Sequence, residues 1–178
     1  SGDEVSVFTG SHEALPALQS LLQPVLAPGA KVKLHADLDP ALIAKGGCLH
    51  LPDPGLHHWC WLRAGGASSR FSLTGVTHTL CSHAVMQGLE QLVTAPLEPW
   101  DALICTSRSA LSVVKESMGC MHERLERRFQ QTLPPPPGPK LPLIPLGIDP
   151  EPFHWKGRFA SRQEQRLQAR QQLGLSSS

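Results

Sequence analysis

The run Ala102-Leu-Ile-Cys105, entered through Trp100-Asp101 and left through Thr106-Ser107, most constrains what this chain can fold into. Consecutive apolar side chains without alternation suit a strand buried on both faces, and such strands belong to parallel sheets. Parallel neighbours cannot be joined by a hairpin, so each needs a crossover, usually a helix. Residues 110 to 131 supply helical spacing directly after this strand, with the latter half charged and Ser107 placed as the cap. The same order recurs upstream. Phe71 to Thr77 reads as a buried strand, and His78 to Ser82 as the turn before a helix that runs to about Leu92, with Ser82 as its N-cap.

Nearer the start, Val5 to Phe8 reads as a strand and Ala14 to Val25 as a helix through Leu15, Leu18, Leu22 and Val25. Lys31 to His35 alternates with period two, and Ala41 to Lys45 offers a short helical turn stopped by Gly46-Gly47. Cys48 to Leu51 is a further strand cut off by Pro52-Asp-Pro54, and Leu56 to Arg63 a short helix before the loop Gly65 to Ser69. Strands alternating with helices predict an α/β fold, a Rossmann-like three-layer sandwich with a mainly parallel sheet.

Pro134 to Pro137 with Gly138 and Pro139 make a stiff connector, and Leu141 to Leu146 reads as a final strand, with Leu143, Ile144 and Leu146 buried. Pro145 and Pro150 end pairing because they lack an amide donor, Gly147 supplies a backbone angle that a Cβ would resist, and Asp149 accepts amides in the turn. Residues 1–153 are expected to form one domain, and 154–178 a linker and a polar helix from Arg162 to Leu173 ended by Gly174.

The length of 178 residues suits one domain of ordinary size, about 100–200 residues, and is short for two Rossmann-like domains. With 16 basic against 15 acidic residues and a formal charge of +1, nothing in the chain courts a phosphate backbone, so nucleic acid is not an expected partner. No apolar run approaches the roughly 18–20 residues of a membrane span, so the expectation is no transmembrane segment and a cytoplasmic protein. Five cysteines, odd in number and mostly in apolar surroundings, read as reduced, buried thiols.

In open parallel sheets ligands bind beyond the carboxyl ends of the strands, and that geometry selects the candidate residues. His78 emerges at such an end, where it can meet a substrate or simply tie a loop to the sheet. Thr106, Ser107 and Arg108 reach the same edge beside the free amides of a helix start, a place for an anion, although Ser107 can be a plain cap and Arg108 simply solvated. His50 sits within a strand, and Asp53 at a rigid corner between two prolines, where it also serves as a turn former. Trp59 and Trp61 suit core packing or an apolar wall for a sugar ring. His57, His58, Cys60, His78, Cys81 and His83 are ligand types that zinc accepts, but a helix starting near Ser82 directs Cys81 and His83 apart, so no metal site is expected. There is no G-x-S-x-G elbow, no P-loop and no G-x-G-x-x-G after a strand.

Several of these pieces stand in an order that resembles the N-terminal domain of GT-B fold, family 4-like glycosyltransferases. The pieces are the His50 strand, Thr77-His78, the Asp101 to Ser107 strand, Ile144-Pro-Leu-Gly-Ile-Asp149 with Phe153, and Arg170 to Leu175. The resemblance implies the acceptor-side half of a longer enzyme, a retaining hexosyltransferase moving sugar from a nucleotide-sugar donor to a sugar or glycan acceptor. It also implies no metal or other cofactor, and a C-terminal donor-binding domain of the same chain as partner. His78 would then face the transferred sugar as the catalytic residue, with Thr77, Thr79, Ser107, Arg108, His50 and Asp53 around the substrates. The other reading is a non-catalytic Rossmann-like module that holds a small phosphorylated ligand.

Overall fold

A computed structural model of the chain describes residues 4–65, 71–150 and 161–176. It divides into two compact units, residues 1–145 and 146–178. In the first, β1 (Glu4–Phe8), α1 (Leu15–Leu22), β2 (Lys31–His35), α2 (Pro40–Gly46), β3 (Cys48–His50), α3 (Leu56–Ala64), β4 (Ser72–Thr77), α4 (His83–Gln91), β5 (Ala102–Cys105) and α5 (Arg108–Phe129) follow one another. The second holds α6 (Arg162–Gln172), which Ser161 caps by accepting the Glu164 N–H at 3.1 Å. The expected domain boundary at 153 lies outside the described residues.

The fold is α/β, and every strand pair is parallel. The strands form two sheets, β1-β2 and β3-β4-β5, where the sequence suggested one. Helix boundaries follow local chemistry. Asp39 caps α2 by accepting the Ala41 N–H, Pro40 opens it, and Gly47 closes it at φ 74°, a left-handed angle that glycine takes without strain. Ser82 and Ser107 cap α4 and α5 as expected, accepting from Val85 N–H at 3.3 Å and Ala110 N–H at 3.0 Å.

The core lies around the larger sheet. Leu73 on β4, Leu103 and Cys105 on β5, Leu56 and Cys60 on α3, Leu89 on α4 and Val114 on α5 are buried together. Right-handed crossovers place α3 and α4, which both step in the direction β3 to β5, on one face, and α3 packs on α4 and α4 on α5. Beneath this core lies an ion pair with both side chains fully buried. Arg63 of α3 donates to both Asp101 carboxylate oxygens, at 2.6 and 2.7 Å, and to the carbonyls of Phe71 and Pro96. Asp101 also accepts the N–H groups of Leu73 and Glu98, both at 2.8 Å, so one carboxylate ties the entrances of β4 and β5 to α3.

The segment after the proline run pairs with β5 in parallel, at Ala102↔Lys140 and Cys105↔Leu143. The Leu103 and Cys105 amides donate to the Lys140 and Pro142 carbonyls, and the Ile144 amide to Cys105. Pro142 stands where the donor to the Leu103 carbonyl would be, so the ladder breaks into isolated bridges. The expected buried strand is corrected here. Leu143, Ile144 and Leu146 are exposed, because this segment is the sheet edge and nothing among the described residues covers it. Gly147 has no positive φ, so the special backbone angle expected there is not used. The expectation of buried cysteines also needs correction: Cys60 and Cys105 are buried, whereas Cys48, Cys81 and Cys120 are exposed, and all five are free thiols. No helix among the described residues is long and apolar enough to cross a membrane.

Candidate functional site

Because β3, β4 and β5 are parallel and adjacent, their carboxyl ends open on one edge, about 4.8 Å from tip to tip. Asp53 follows β3, His78 and Thr79 follow β4, and Ser107 and Arg108 follow β5. The ends of β4 and β5 therefore carry an imidazole, two hydroxyls and a guanidinium. His78 is exposed, and its Nδ1 lies 3.1 Å from the Thr79 hydroxyl, which orients the ring. Ser107 and Arg108 are exposed at the start of the 22-residue α5. The first turn of that helix carries no acidic side chain, so its partial positive charge is available to an anion alongside Arg108.

Thr77 takes a different place from its neighbours. It is buried, its hydroxyl accepts the Thr106 N–H at 3.1 Å, and the Thr106 hydroxyl donates to the Thr77 carbonyl at 2.7 Å. These bonds clamp the tips of β4 and β5 and give the rim its fixed spacing. The alternation of β4 carried the signal, since Thr77 shares its face with the buried Leu73 and Gly75.

His50 and Asp53 belong to a second location. Both line a cavity of ≈ 790 Å³ between β1 and β3, which Trp59 also borders. The His50 Nδ1 lies 2.9 Å from the Thr74 hydroxyl on the neighbouring strand. Asp53 is bound as a turn former, its carboxylate accepting the Gly55 N–H at 2.6 Å while its carbonyl accepts the Val76 N–H. That turn crosses β4 so closely that a Cβ on Gly75 would stand 2.6 Å from the Asp53 carbonyl oxygen. Trp61 is exposed and does not line the cavity.

The zinc-type residues do not assemble: among the described residues no group of three His, Cys, Asp or Glu side chains converges. His57 instead packs against α4, where a Cβ on Gly88 would meet its ring at 2.7 Å, and its Nδ1 is buried without a hydrogen-bond partner. Burial, and then the neighbouring His58, push its pKa below the ordinary 6.5, against an opposing pull from Asp53. Burial likewise raises the Cys60 thiol to about 11 and moves Cys105 in the same direction, which makes both poor nucleophiles. Sequence reasoning missed the Arg63–Asp101 pair; the cue was an arginine inside an otherwise apolar helical turn.

No family model matches the chain, and neither does any curated protein or solved structure.

Proposed function

We propose that this chain is the acceptor-side, Rossmann-like domain of a GT-B type glycosyltransferase, part of a longer polypeptide that moves a sugar from a nucleotide-sugar donor. The observation that supports this reading is the shared carboxyl edge of β3, β4 and β5, which carries His78 beside the amide end of α5 and Arg108. In this reading His78 hydrogen-bonds the reacting sugar, Thr79 orients the imidazole, and Ser107 and Arg108 face donor phosphate or acceptor hydroxyls. His50 and Asp53 stand on the acceptor side, and Thr77 acts through the rim it clamps. Closure of the second domain would exclude water during transfer.

The test is His78→Ala in the full-length protein, assayed against a panel of nucleotide sugars. Turnover falls on the order of a hundredfold or more, the scale of a lost proton-transfer or polarising group, while the unfolding midpoint stays within about 2 °C. Unchanged turnover removes His78 from the mechanism. Ligand binding with no transfer to any acceptor in the wild-type protein makes the domain a binding module instead.

A further inference from the structure

The contact between α3 and α4 holds a ring that suits only one protonation state. His57 stands in the first turn of α3 and lies against the backbone of α4 at the buried Gly88. A Cβ there would stand 2.7 Å from the ring's Cε1 and 3.1 Å from its Nδ1, so the imidazole occupies the space that a side chain on α4 would otherwise take. That Nδ1 is buried and has no hydrogen-bond partner. A neutral ring can meet this surface with a bare lone pair, its one proton on Nε2. An imidazolium carries N–H on both nitrogens, and one of them would be buried with no acceptor in place.

The surrounding charges do not compensate, since burial and the neighbouring His58 outweigh Asp53 in the turn before α3. The Asp53 carboxylate is itself engaged by the Gly55 N–H. β4, packed against α3, has no titratable side chain. On α4 the titratable groups are His83 and Glu90, which lie about 140° and about 160° round the helix from Gly88 at 3.6 residues per turn. Glu90 is moreover held by Arg124 of α5, at 3.2 and 3.3 Å. Elsewhere on α3, the Cys60 thiol donates to the His57 carbonyl and Arg63 is closed on Asp101.

We propose that His57 is an acid-sensitive latch: its neutral ring seats α4 against α3, and a proton taken up at Nδ1 loosens α4 together with the turn at 78–82 that leads into it. That turn ends on Ser82, the cap of α4, so a shift of the helix is passed back to His78 and Thr79. The sign follows from which state takes the proton. Burial favours the neutral ring in the folded chain, so the unfolded chain is protonated first as pH falls through 6.5. The contact is intact above that value and weakens progressively below it. The inference does not depend on the function proposed above.

The test is thermal unfolding of the full-length protein and of His57→Phe, which keeps a ring and removes the titrating nitrogen, at about pH 7 and about pH 5. On acidification the wild-type midpoint falls by roughly 3 °C or more beyond the fall seen in the variant. Equal falls overturn the proposal. Should the larger ring prevent folding against Gly88, amide hydrogen exchange of the wild-type protein decides, scored as protection relative to unstructured peptide at each pH. Between the same two pH values the Gly88 and Leu89 amides lose protection on the order of threefold more than Leu103 of β5. A loss shared equally by α4 and β5 overturns the proposal, as does protection in α4 that does not change.

Discussion

The β1-β2 sheet and the β3-β4-β5 sheet are built from the same strand-helix-strand order, yet only one of them makes a core. β1, β2 and α1 contain no buried residue: Val5 is 55% exposed and Leu21 71%, so apolar composition there buys no burial. In the larger sheet β4 alternates half-buried and buried positions, and Leu73 and Leu103 are fully covered. The strands of the two regions have similar intrinsic preferences. What differs is the neighbours: β4 has a strand on each side and helices packed over it, whereas β1 has one partner and an open edge. Burial is a property of the assembled layers rather than of any one segment.

Three substitutions sharpen or break that contrast. The largest effect is expected from Asp101→Asn, which leaves the buried Arg63 guanidinium without its carboxylate; urea unfolding should show a loss of about 3–5 kcal/mol. A loss under about 1 kcal/mol would mean that the ion pair does not hold the larger sheet together. Next is Gly75→Ala, which forces a methyl against the Asp53 carbonyl and the Leu56 side chain, with an expected cost of about 1–3 kcal/mol by the same measurement. The smallest is Leu21→Ser on α1. Because that side chain is already largely in water, the stability should move by no more than about 0.5 kcal/mol. A Leu21→Ser cost comparable to that of Gly75→Ala would show α1 packed in solution, and would erase the distinction between the two regions.

Much of this architecture is legible in the residues. Period and punctuation give the order of strands and helices, and Ser82 and Ser107 announce their helices because a hydroxyl before an apolar-periodic segment satisfies a free amide. The carboxyl-edge positions of His78, Ser107 and Arg108 follow from the parallel arrangement alone. Other features depend on partners that periodicity does not reveal. Arg63 and Asp101 are separated by 38 residues, and only the packed fold brings them together. Leu143 and Ile144 look like interior residues and become rim residues because their strand is outermost. The division into two sheets is equally invisible, since a strand's own pattern does not say whether its second neighbour is present.

The rim segment at residues 140–144 has a consequence for self-association. Its inward-facing residues spend their backbone on β5, so any chain adding from outside must bond through Leu141, Leu143 and position 145, and Pro145 has no donor to offer. In the smaller sheet, Lys33 of β2 turns its ammonium toward β1, where it pairs with Glu4 at 3.0 Å. The proline-broken rim of the larger sheet thus discourages the edge-to-edge stacking that leads to aggregates.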